Sequence, residues 1–114
     1  MNRAGMSVNI IRYQKSDGDC VTAFISTSDH FTKVWVGAYE RLGLTAIPLL
    51  DNPYPVTEEL RLRLIDELLV LRQQAMKWSA AGDYTYDDTI LERIDDALAC
   101  LTDHSVEYYD FVFC

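Results

Sequence analysis

The chain of 114 residues is 49% hydrophobic and 25% charged, and its formal net charge is −8. This length and composition predict one globular domain over residues 1–114, with residues 1–6 flexible, and no run approaches the roughly 18 apolar residues of a membrane span. The acidity argues against nucleic acid as a partner, because phosphate contacts need lysine and arginine.

The cysteines and the start of the chain bear on the compartment. Cys20, Cys100 and Cys114 are odd in number and widely spaced, which is typical of a reducing compartment rather than of a disulfide framework. Residues 1–6 lack the apolar core of a secretory signal. We therefore expect a cytoplasmic protein that needs no membrane.

The first third of the chain predicts two strands and a helix. Residues 7–13 are short and β-branched, and a turn-forming stretch follows them. Residues 20–26 fit both strand alternation and helical spacing, and we favour a strand that forms a hairpin with the first. Residues 26–29 supply capping side chains for a helix from Phe31 to Leu42, which Gly43 ends.

A long central helix is predicted next. Residues 44–50, interrupted by Pro48, form either an edge strand or a packed loop before it. Thr57 is the expected N-cap, and we expect the helix to run to Trp78 and to be the most buried one, packed against the other two. A wide apolar arc predicts burial against more than one element. Its narrow face consists of Leu60, Leu64, Leu68, Leu71, Ala75 and Trp78, and Leu62, Ile65, Leu69 and Met76 widen it.

Two arginines interrupt that arc. Arg61 and Arg72 are eleven residues apart, so they lie on nearly the same face of the helix. Either they extend along apolar neighbours to reach water, or they pair with carboxylates of a neighbouring helix. We favour the first interpretation, because long charged side chains usually find water.

The last third predicts a helix and a strand. Thr89 and Glu92 have the spacing of a capping box, and apolar residues repeat from Ile90 to Leu101. Residues 106–114 are aromatic and strand-like. The predicted fold class is α+β: about three helices, one of them central, with a small, mainly antiparallel sheet formed by N-terminal and C-terminal strands.

Charge is concentrated in the same third. Residues 1–82 hold nine acids and nine bases, whereas residues 83–114 hold nine acids and a single base, Arg93. Five of these acids share the side of the third helix opposite its apolar face, which is either a solvated face or a docking surface for a basic protein. Tyrosines, which often anchor interfaces, flank them in sequence. The candidate partner-binding residues are Asp88, Glu92, Asp95, Asp96, Asp103, Tyr84, Tyr86, Tyr108 and Tyr109.

No catalytic, metal or cofactor site is predicted. Cys100 and His104 have a spacing that suits half a zinc site or a thiol with a base, but no companion pair is evident. We interpret them as a core thiol beside a histidine at a helix end. Asp29 and His30 are interpreted as a first-turn acid and a surface residue, since adjacent helical residues do not face each other.

In size, acidity, α+β order and lack of a catalytic motif, the chain resembles the small acidic immunity proteins of bacterial polymorphic-toxin and contact-dependent inhibition systems. The resemblance rests on the acidic stretch 83–110. It implies a protein that neutralises a cognate basic toxin by binding it, often by covering a basic active site. Two alternatives stay open: a small enzyme whose site gathers His30, Cys100 and His104, and an adaptor that self-associates, as a homodimer for example, through an exposed strand.

Overall fold

The computed structural model describes residues 7–14, 20–51, 54–102 and 109–113, so the predicted flexible start at 1–6 lies outside the described residues. Within these ranges the chain has three helices and a sheet, which confirms the α+β class. The strands are β1 (Ser7–Gln14), β2 (Cys20–Thr27), β3 (Tyr54–Val56) and β4 (Tyr109–Phe113).

The sheet is built on an antiparallel hairpin of β1 and β2. The hairpin is confirmed, and both of its strands are N-terminal, within residues 7–27, whereas the predicted sheet was formed by N-terminal and C-terminal strands. Ile10 lies opposite Ala23 in its register, and the strand over residues 20–26 is confirmed. β4 runs antiparallel along the other side of β1 and pairs with β3, which gives the order β2-β1-β4-β3. The three-residue β3 was missed, because only its distant pairing with β4 makes it a strand.

The first helix covers residues 28–42 and has an irregular middle. It consists of α-helical Ser28–His30, a π-helical turn at Phe31–Trp35 and α-helical Val36–Leu42. The hydroxyl of Thr27 accepts a hydrogen bond from the His30 N–H at 3.1 Å, so the predicted cap is confirmed. Gly43 ends the helix at φ 67°, a left-handed conformation that glycine adopts without strain.

The segment after the first helix is a packed loop and not an edge strand. It ends in a 3-10 helix at Ile47–Asp51. The carboxylate of Glu67, on the central helix, accepts hydrogen bonds from the backbone N–H groups of Ala46 at 2.8 Å and Ile47 at 3.0 Å. In an edge strand, these N–H groups would donate to a neighbouring strand. Here they donate to Glu67 instead, and these bonds hold the loop against the central helix.

The central helix runs over Glu58–Ala80. The Thr57 hydroxyl accepts from the Leu60 N–H at 3.2 Å, which confirms the cap. As expected, this helix packs against more than one element, since the third helix, the first helix and the 3-10 helix contact it. Its buried face is narrower than the predicted arc, because the outer side faces solvent. The buried residues are Leu60, Leu64, Leu68, Leu71 and Ala75, while Leu62, Leu69, Val70 and Met76 are exposed.

The third helix, Asp88–Thr102, lies between the sheet and the central helix. It buries five of its 15 residues, whereas the central helix buries five of its 23, so the central helix is not the most buried. The predicted capping box is also wrong. The helix begins before Thr89, and the Asp87 carboxylate accepts from the Thr89 N–H at 3.0 Å.

The core forms where these elements meet. Val8 and Ile10 of β1 and Ala23 and Ile25 of β2 are buried on the hairpin, which the third helix contacts. The first helix contacts the central helix, and the Arg41 guanidinium lies 3.8 Å from the centroid of the Trp78 ring. In the described part of the chain, no helix combines the length and apolar character that crossing a membrane requires.

Two adjacent leucines test this packing. Leu68 is fully buried, whereas Leu69 is 51% exposed. We expect Leu68→Ala to lower the free energy of unfolding by about 2–5 kcal/mol, because it leaves a cavity in the core. The matched control, Leu69→Ala, should cost about 0.5 kcal/mol or less. Urea denaturation of both variants measures the difference, and equal losses would show that the central helix is packed differently.

Candidate protein-binding surface

The acids predicted on the third helix lie on its solvent side. We call Asp88, Glu92, Asp95 and Asp96 the acidic stripe, and all four are exposed. Asp103 lies outside the described residues. The stripe faces outward because the opposite face of the helix, with Ile90 and Ile94, is buried.

Ion pairs divide the stripe. The Arg72 guanidinium on the central helix contacts the Asp95 carboxylate, with Nε 2.7 Å from Oδ1, and the hydrogen bond raises the pKa of that guanidinium. Arg93 lies 3.7 Å from Asp96 on the same helix. Within the described ranges, no ion pair reaches Asp88 or Glu92, so these two carboxylates carry most of the uncompensated charge of the stripe.

Arg61 and Arg72 behave differently from the favoured interpretation. Arg72 pairs with a carboxylate of the neighbouring helix, which was the alternative. Arg61 donates to Glu58 of its own helix and to the backbone carbonyl of Leu101 on the third helix. The hydrogen bond from Arg61 lowers the pKa of the Glu58 carboxyl. Both arginines therefore tie the central helix to the third helix.

The candidate tyrosines do not form one cluster. Tyr84 is 85% exposed and precedes the stripe by four residues. Tyr86 is buried, with its ring 4.7 Å from that of Trp78, so it belongs to the core and not to an exposed binding surface. Tyr108 lies outside the described residues, and Tyr109 is described only by its backbone in β4. Tyr84 alone is an exposed candidate anchor among the described side chains.

Sequence reasoning missed an apolar surface beside the stripe. We call Leu62, Leu69 and Met76 of the central helix the apolar seam, and they are 50%, 51% and 48% exposed. The spacing of seven residues was visible in the sequence, but it was interpreted as part of a buried arc. The seam adjoins the stripe at Arg72, whose Nη1 lies 3.2 Å from the sulfur of Met76 while its Nε contacts Asp95.

Two depressions lie beside the edge strand β2. The larger, of about 440 Å³, has Arg12, Phe24, Asp96 and Cys100 among its lining residues. The smaller, of about 160 Å³, includes His30, and Arg93 borders both. Among the described residues, neither depression brings a histidine together with a carboxylate.

Two residues of the enzyme alternative line different depressions. His30 lines the smaller depression and buried Cys100 the larger, and His104 lies outside the described residues. Asp29 forms an ion pair with Lys33 at 2.9 Å, as a first-turn acid with an i+4 neighbour. In the described part of the chain, no three histidine, cysteine or acidic side chains gather where they would hold a metal ion.

Comparison of the chain with protein-family models, curated proteins and solved structures gave no match.

The pair between the two helices can be measured directly. Both side chains are partly exposed, so we expect the coupling energy of Arg72 and Asp95 to be small but favourable at low salt and to fall with added salt. A double-mutant cycle with Arg72→Ala and Asp95→Ala, followed by denaturation at low and high salt, measures it. A coupling near zero at low salt would mean that this pair does not hold the stripe against the central helix.

Proposed function

We propose that this protein is a binding inhibitor of a basic protein, of the immunity type, and that the acidic stripe is its recognition surface. One observation carries the proposal: Asp88 and Glu92 are exposed, and no ion pair offsets them among the described residues. They stand on a helix whose opposite face is fixed in the core. The charge therefore has a defined position rather than being spread for solubility.

Such an array favours a basic partner for a physical reason. A cluster of one sign speeds the encounter with an oppositely charged protein and orients it before contact. Residues 83–114 hold nine acids against one base, so the field of this region is strongly negative. Tyr84, which is exposed just before the stripe, offers an aromatic ring at its edge.

The division of the stripe identifies the residue to reverse. Reversing the charge of Asp95 would also break its ion pair with Arg72, and reversing that of Asp96 would break its pair with Arg93. The measured change would then combine the altered field with the lost ion pair. Glu92 lies in the middle of the helix, is exposed and has no such partner in the described chain. Its reversal changes the field with a folding cost of about 0.5 kcal/mol or less.

The test uses Glu92→Lys against Glu40→Lys, the same charge change at an exposed position of the first helix. The probe is the basic toxin domain that this proposal implies, isolated by a pull-down with this chain as the bait. We expect Glu92→Lys to slow association by roughly threefold or more at low salt, and the loss to shrink at high salt, because the effect is one of long-range attraction. Stopped-flow or biosensor measurements give the rates.

The control should change the association rate much less, because Glu40 lies on the first helix, outside the acidic stripe. It measures the small change in rate that any single charge reversal causes in a protein of net charge −8. Identical rates for Glu92→Lys, Glu40→Lys and the unaltered protein at both salt concentrations would contradict the proposal. Absence of any complex with the toxin domain, together with no protection of cells that express it, would contradict it as well.

A further inference from the structure

The central helix exposes more apolar surface than its position in the fold requires. Leu62, Leu69 and Met76 recur every seven residues, so they lie within about 40° of one another around the helix axis and extend over about 21 Å. Three exposed large side chains in a line are unusual, whereas single exposed leucines are common and need no explanation. Burying each such side chain in an interface removes apolar area from water and is favourable.

Half-buried groups fill the spaces within the seam. Ile65 is half-buried between Leu62 and Leu69, and Arg72 lies between Leu69 and Met76 with its guanidinium directed to Asp95. The pattern of Leu62, Ile65, Leu69, Arg72 and Met76 alternates steps of three and four residues. Those steps match the a and d positions of a helix that packs lengthwise against another helix.

The charge beside the seam is acidic on one side only. On the side away from the third helix, the exposed bases Arg63 and Lys77 equal the exposed acids Glu59 and Asp66 in number. On the other side, Arg72 is offset by Asp95, and the third helix carries the exposed acids of the stripe. The surface therefore combines an apolar centre with a polar rim, which is the usual anatomy of a protein interface, and the excess of acids lies along the third helix.

We infer that the apolar seam is the docking site for a basic amphipathic helix of the partner. This inference rests on the proposed function, because it names the part of the basic protein that makes contact. The spacing fits a helix with leucines every three and four residues, and the acids of the third helix fit lysine or arginine on the side of the partner helix that faces them. A second copy of this chain is a poor occupant, because it would bring the same acids and a net charge of −8 to an acidic surface.

The test needs no natural partner. The probe is a designed helical peptide with leucine at the a and d positions and lysine elsewhere, and its control is the same composition in scrambled order. Leu69→Gln removes the centre of the seam. Val70→Gln is the matched control, since Val70 is 45% exposed but lies about 100° further around the same helix.

We expect the amphipathic peptide to bind in a calorimetric titration, and the scrambled peptide to bind much more weakly. Leu69→Gln should weaken binding by about tenfold, as for a residue at the centre of an interface, and Val70→Gln by about twofold or less. Circular dichroism and thermal melting confirm that both variants stay folded.

Three results would overturn the inference: equal effects of Leu69→Gln and Val70→Gln, equal binding of the two peptides, or a dimer of this chain that Leu69→Gln dissociates. The dimer would show that a second copy occupies the seam. The proposed function is judged separately, by the effect of Glu92→Lys on association with the toxin domain. A Glu92 effect without a Leu69 effect would leave an acidic binding surface whose partner does not use the seam.

Discussion

The structure depends on the burial of a single helical face between two neighbours. Ile90, Ile94 and Leu101 of the third helix are fully buried, and this helix packs on both the β1–β2 hairpin and the central helix. A helix held on two sides cannot rotate without exposing its core residues. Its remaining face is therefore fixed toward solvent, and the carboxylates of the acidic stripe lie on that face. The same packing leaves the outer side of the central helix uncovered, so the apolar seam and the stripe lie side by side.

Local signals predicted much of the fold. Thr57 and Thr27 cap their helices, Gly43 ends the first helix, and Leu60, Leu64, Leu68 and Leu71 form the buried face that their spacing indicates. Each of these features depends on residues within about one helical turn, which is the range over which sequence patterns determine conformation. The features that were missed depend on distant residues. Glu67 binds backbone N–H groups about twenty residues away, β3 exists through its pairing with β4, and the third helix, and not the central one, is the most buried.

The candidate site was only partly predictable for the same reason. The outward position of Asp88, Glu92, Asp95 and Asp96 followed from helical periodicity, but the pairing of Asp95 with Arg72 needed the relative position of two helices. Helical spacing shows which apolar residues share a face, but it does not show whether that face is buried in the core or exposed. The residues of the seam were therefore assigned to the core. Tyr86 was predicted to bind a partner but is buried in the core. The sequence could not distinguish the two, because a tyrosine suits both an interface and a core contact such as that with Trp78.

Partner binding, as proposed, uses the face formed by the central and third helices, and not the smaller depression beside the edge strand β2. Hydroxyl-radical footprinting of the protein, free and bound to the toxin domain, compares both regions in one experiment. We expect Leu62, Leu69 and Met76 to become protected in the complex, while His30, which lines the smaller depression, keeps its reactivity. Protection of His30 with an unchanged reaction of Met76 would contradict the proposal and place the binding surface at the sheet edge.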